Sequence, residues 1–152
     1  LSSLTRANAV ALAVPALLMA GALGSQYIGG LYPCEMCHWQ RWPHYAAIVI
    51  ALLAFFVKPP ARNVMVALAA LAILTSGAIG VFHAGVEYHW WQGITTCSST
   101  AAGTSLPDIM RAPLIRCDAA QWTLGGISLA GFNALFSIAG AIATLVLVRK
   151  AK

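Results

Sequence analysis

With 60% hydrophobic and 9% charged side chains over 152 residues, and a mean hydropathy of +0.78, the chain has too little polar surface to cover a water-soluble globule. Composition therefore places it in a bilayer. The net charge of +5 is no nucleic-acid footprint, because most of the basic excess sits at the ends of apolar runs, where it sets topology and meets anionic lipid.

A helix needs about 20 apolar residues to cross the hydrocarbon core. Four runs are read as spans, at residues 7–28, 42–57, 64–86 and 124–148. They are continuous and rich in Ala, Leu and Ile, without the alternation of a barrel strand. The expected fold is all-α, a four-helix transmembrane bundle forming a single integral membrane domain over residues 1–152.

The first run follows Arg6, and its Ala20-Gly21-Ala22 resembles the end of a secretory signal peptide. It is long for that purpose and leads directly into the next loop, so it is read as a retained span. Because the chain begins at Leu1 and not Met, a few residues are expected to precede it.

Pro33-Cys34-Glu35-Met36-Cys37 follows. A disulfide between residues three apart closes too small a loop to brace a fold, so this pair suits a reversible redox couple. It sits just before the second run, whose helix amino end favours a nearby thiolate, with Cys37 better placed than Cys34 to feel it. Arg41 lies one helical turn beyond Cys37; its guanidinium could stabilise a thiolate, a developing oxyanion or a lipid phosphate.

The second run is the shortest and recruits Trp39 and Trp42 as interfacial residues. It ends at Lys58-Pro59-Pro60-Ala61-Arg62-Asn63, a tight basic turn into the third run. Arg6, Lys58, Arg62, Arg149, Lys150 and Lys152 mark both termini and this turn as cytoplasmic. All four carboxylates, Glu35, Glu87, Asp108 and Asp118, fall in the other two loops, which therefore face outward. The five tryptophans (Trp39, Trp42, Trp90, Trp91, Trp122) and four tyrosines (Tyr27, Tyr32, Tyr45, Tyr88) cluster at that outward end. An ordinary aromatic belt occupies both interfaces, so the lopsidedness leaves room for some rings to line a pocket for a flat ligand.

The second outward loop carries Cys97 and Cys117. Between them, Pro107 suits a first helical turn, and Leu106, Ile109 and Met110 share a face, as in a short helix lying on the membrane surface. The two cysteines could form a structural disulfide in an oxidising compartment. The glycine and hydroxyl content around Cys97 (Thr95, Thr96, Ser98, Ser99, Thr100, Gly103) favours instead a mobile strand that a partner engages.

Two segments carry a resemblance: Pro33-Cys34-Glu35-Met36-Cys37-His38-Trp39-Gln40-Arg41 and Cys117-Asp118-Ala119-Ala120-Gln121-Trp122-Thr123-Leu124-Gly125. They resemble the two cysteine motifs of the DsbB family of disulfide-generating membrane proteins, in the same order and covering essentially the whole chain. The vitamin K epoxide reductase family shares the chemistry but carries its Cys-x-x-Cys late in the bundle, and is less similar.

The resemblance implies a protein-disulfide:quinone oxidoreductase of the bacterial inner membrane, multi-pass, with periplasmic cysteine loops. Its partner would be a periplasmic DsbA-like thioredoxin-fold protein, and its acceptor ubiquinone or menaquinone. DsbA-like proteins are strong oxidants, at about −120 mV, and only a more oxidising sink such as a quinone can reoxidise them. By the same resemblance, Cys97 forms the mixed disulfide with the partner and Cys117 exchanges with Cys34. Cys37 lies next to the quinone, which Arg41 holds and polarises. Members also bind quinone through a histidine near the outer end of the third helix. His83 and His89 compete for that place; His89 is preferred because His83 lies deeper in the span, and a plain packing role stays open. His38 is a further cofactor-binding candidate. Gln40 stands where some members have an acidic residue, so no proton-handling role transfers to it. Two other readings use the same residues: a zinc site built from the cysteines with His38 or His89, and a structural bundle with inert disulfides.

Overall fold

The computed structural model describes residues 2–95, 98–99, 105–112 and 114–151. Helix α1 spans Ser3–Tyr27, α2 Glu35–Ala54, α3 Ala61–Glu87, α4 Leu106–Arg111 and α5 Leu129–Arg149. Two antiparallel strand pairs lie between α3 and α5: β1 (Ser98–Ser99) with β2 (Leu114–Ile115), and β3 (Thr123–Leu124) with β4 (Ile127–Ser128).

The four long helices pack in a ring, α1 against α2, α2 against α3, α3 against α5 and α5 back against α1. Small residues let them approach. Ala7, Ala11, Ala47, Ala51, Ala54, Ala69 and Ala141 form the cluster around Val66 and Ile73, the kind of contact that drives association where lipid removes the hydrophobic advantage. At Gly80 a Cβ would lie 3.0 Å from the Ala130 carbonyl of α5, and at Gly140 one would lie 2.7 Å from Val14 of α1. Both glycines mark close helix crossings. Ser3 Oγ donates to the Leu147 carbonyl at 2.7 Å, tying the start of α1 to the end of α5.

Helices α1, α3 and α5 are long and apolar enough to cross a membrane. Helix α2 is long enough but carries Glu35, His38, Gln40, Arg41 and His44 in its first half. It begins well before residue 42, because Cys34 caps it and winds the polar segment into helix: its sulfur accepts from the Cys37 N–H at 3.3 Å. At the other end of the chain, helix does not start at residue 124. Gly125 and Gly126 take φ of +59° and +79° and turn β3 into β4, and α5 starts at Leu129 with Ser128 as its cap.

The two cysteine-bearing loops are clasped together. Gln121 accepts from the Tyr32 N–H at 3.2 Å and donates to the Tyr32 carbonyl at 2.6 Å. Tyr88, just past α3, donates to the Gly126 carbonyl at 2.9 Å and accepts from the Ser128 N–H at 3.0 Å. Both links hold the Cys117 loop over the Cys34 end of the bundle.

Candidate functional site

The capping geometry of α2 brings its two sulfurs together. Cys34 Sγ lies 2.9 Å from Cys37 Sγ, and both are free thiols. A movement of about 1 Å would close them to the ~2.05 Å of a disulfide. Cys34 is 2% exposed and Cys37 half-buried. The adjoining Cys37 sulfur, and then burial, push the Cys34 thiol well above its usual range. Cys117, also a free thiol, is 8% exposed and packs in one cluster with Cys34, Met36, Val86 and Ile115. Three of the four cysteines thus meet in one place. Cys97 lies outside the described residues.

Arg41 is nearly buried and points across to α1, where Nη1 donates to Gln26 Oε1 at 2.6 Å and Nη2 to the Ala22 carbonyl at 3.3 Å. Those contacts hold the guanidinium one turn from Cys37 on the same helix face. On the far side stands His83 of α3, 2% exposed, with Nε2 3.5 Å from Cys34 Sγ and 3.7 Å from Glu87 Oε1.

These groups open onto a cavity of about 400 Å³, within the range of small-molecule sites. Its polar side is Cys34, Cys37, Gln40, Arg41, His44, His83 and Glu87, and its apolar walls include Leu17, Leu18, Trp122, Leu129, Phe132 and Phe136. Phe132 stacks on Phe136 with ring centroids 6.2 Å apart, and Trp122 tilts against Phe132 at 6.3 Å. A flat apolar ring with polar edges fits such a space. Glu87 Oε2 and His44 Nδ1 on its wall are buried without a hydrogen-bond partner.

His89 and His38 do not join this site. His89 follows the end of α3 with φ of +59°, is exposed, and lines a separate recess with Trp90, Trp91 and Asp118. His38 is exposed on another face of α2. Sequence reasoning missed Glu87, Gln40 and His44 as cavity residues and ranked His83 second. Spacing could have found them, since Cys37, Gln40, Arg41 and His44 share one face of α2, and His83 and Glu87 lie one turn apart on α3. Of the tryptophans and tyrosines, Tyr32 and Trp122 line the cavity. Trp91 instead covers Gly85, where a Cβ would lie 2.1 Å from its ring.

Cys34, Cys37 and His83 also place one metal-binding donor each within 4.8 Å of one another. A structural zinc site takes four. In the exposed part of the second loop, Arg116 donates to both Asp118 oxygens, at 2.8 and 2.6 Å, which holds the Asp118 carboxyl below its usual range.

The family model described as "Disulfide bond formation protein DsbB" matches residues 5–147. "Disulfide bond formation protein B" of Polaromonas sp. is 31% identical over 152 residues, covering 93% of this chain and 88% of its own. The protein of the same name from Verminephrobacter eiseniae is 34% identical over 152 residues, covering 92% of this chain and 83% of its own. An uncharacterized protein of Rickettsia prowazekii is 26% identical over 138 residues, with 86% and 80% covered. No solved structure matches.

Proposed function

We propose, for a chain that belongs to the DsbB family of disulfide bond formation proteins, that it reoxidises a periplasmic DsbA-type thiol oxidase and passes the electrons to a membrane quinone. The observation that carries this reading is the Cys34–Cys37 pair, its sulfurs 2.9 Å apart, on the wall of an apolar cavity.

The exchange proceeds sulfur by sulfur. A thiolate of the partner attacks a Cys97–Cys117 disulfide at Cys97, and Cys117 leaves as thiolate; the partner's second thiol then releases Cys97 and leaves the partner oxidised. Cys117 and Cys97, now reduced, regain their disulfide from Cys34–Cys37 by the same chemistry, with Cys117 attacking Cys34. Two electrons and two protons have moved from the partner to the Cys34–Cys37 pair. A bound quinone supplies the oxidant, taking up two electrons and two protons. The protein's own groups hold and tune the site. Arg41, fixed by Gln26 and Ala22, offers positive charge beside Cys37. His83, rather than His89 or His38, is the histidine at the dithiol, and Phe132, Phe136 and Trp122 supply apolar walls to the cavity beside it.

Topology follows the same reading. Helix α2 is the fourth span, its polar first half sheltered by neighbours and cavity. Both termini and the 58–63 turn lie on the cytoplasmic side of the inner membrane, and the cysteine loops are periplasmic. The test is quinone absorbance followed in detergent with a reduced DsbA-like protein as donor. Turnover with wild type and none with Cys37→Ser is expected; equal turnover in both would contradict the assignment. A zinc reading rests on the three clustered donors, and metal analysis of the purified protein with and without chelator decides it.

A further inference from the structure

A chain of hydrogen bonds runs from inside the bundle to the dithiol, and two main-chain carbonyls fix its direction. Gln40 Nε2 donates to the Met36 carbonyl at 3.2 Å and contacts His83 Nδ1 at 2.8 Å. Asn133 Nδ2, from α5, donates to the Ser76 carbonyl at 3.2 Å and to Gln40 Oε1 at 2.8 Å. Turning Gln40 over would set its oxygen against the Met36 carbonyl and its nitrogen against that of Asn133. Turning Asn133 as well would only move the clash to the Ser76 carbonyl. Neither carbonyl can turn, since each belongs to a helix main chain.

An amide nitrogen only donates, so His83 Nδ1 accepts, and a neutral imidazole then carries its proton on Nε2. That is the nitrogen 3.5 Å from Cys34 Sγ. The far end of the chain agrees. With its nitrogen turned to the Ser76 carbonyl, Asn133 presents Oδ1 to His44 Nε2 at 2.8 Å and to Ser137 Oγ at 3.0 Å, and both groups can donate to it.

We propose that Gln40 and Asn133 are positioning residues that hold the His83 proton on Nε2, so that the ring meets the Cys34 sulfur as a hydrogen-bond donor and not as a base. The sulfur's part in this rests on the oxidoreductase reading above; the position of the proton does not. A donor at that place stabilises a thiolate on Cys34 when Cys117 or Cys37 exchanges with it. A carboxylate at position 40 would accept at both oxygens and draw the proton to Nδ1, reversing the arrangement, so the choice of Gln there is itself a choice of tautomer.

The experiment is long-range proton–nitrogen correlation NMR on the full chain in detergent with ¹⁵N-labelled histidines, the His83 signals being assigned by their loss in His83→Gln. Wild type is expected to show His83 protonated at Nε2 and bare at Nδ1. In Gln40→Met, which keeps the side-chain length but has no N–H, the two nitrogens are expected to average toward mixed tautomers. The kcat for quinone reduction should fall about tenfold, the scale of a hydrogen bond to a charged group, with KM for quinone within about twofold. Asn133→Leu should show the same trend if Gln40→Met does not fold. Wild-type His83 carrying its proton on Nδ1, or a Gln40→Met protein with unchanged tautomer and kcat, overturns the proposal. Absence of quinone turnover in wild type would instead remove the oxidoreductase reading, and the role at sulfur with it.

Discussion

Cys34 caps α2, and on the proposed function it is also a redox sulfur, so the dithiol's geometry is set by the helix it starts. Its sulfur accepts from the Cys37 N–H, which lies in the first turn of α2, and the two sulfurs follow from that turn. Arg41→Ala is therefore expected to leave the pair intact and weaken only the hold on quinone, raising KM about tenfold while kcat changes less; steady-state kinetics with varied quinone checks this. Unchanged KM would remove Arg41 from the site. At this scale the sequence was most legible where residues lie close along the chain: Cys34, Cys37 and Arg41 share consecutive turns of one helix. Histidine assignment depended on where α3 stops. His83 and Glu87 are on its last turn but one and its last residue, facing Cys34 and Cys37, whereas the chain turns away at Tyr88 and carries His89 out of reach. Depth along the helix suggested the opposite, because Cys34 and its loop reach down toward α3 rather than resting on its end.

Four long helices follow the order of the four apolar runs, and three of them are long and apolar enough to cross a membrane, but at the cysteine end the helices do not stop where the runs do. Polar residues of α2 belong to the helix because capping and neighbours satisfy them, which hydropathy does not register. The glycine pair at 125–126 sits in an apolar stretch and reads as helix until its positive φ is seen. Packing between elements yields two expectations. Gly80→Leu should push α3 off α5, where the Ala130 carbonyl stands 3.0 Å from a Cβ, and cost about 1–3 kcal/mol. Gly126→Ala, at φ of +79°, should cost ~1 kcal/mol by strain alone. Thermal unfolding in one detergent compares both with wild type; a Gly80→Leu protein as stable as wild type would show that the α3–α5 crossing is not tight.

The molecule as a whole differs between its two ends. Basic residues gather at the termini and the 58–63 turn, and Cys34, Cys37 and Cys117 gather at the other end, where Tyr32–Gln121 and Tyr88–Gly126 tie the loops together. On this topology, Gln121→Cys in intact cells made permeable only in the outer membrane should react with a membrane-impermeant maleimide, and Ala61→Cys only after the inner membrane is broken. Labelling of Ala61→Cys before lysis would invert the orientation. The most direct measurement for the account as a whole needs no partner protein. Wild type with Cys97 and Cys117 both changed to Ala is reduced, freed of reductant and mixed with a stoichiometric quinone, and both the thiols lost and the quinone reduced are counted. One quinone reduced for each pair of thiols lost is the expected result. Thiols that persist beside an unreacted quinone, ubiquinone or menaquinone, in folded protein would contradict the claim that Cys34 and Cys37 deliver electrons into the cavity.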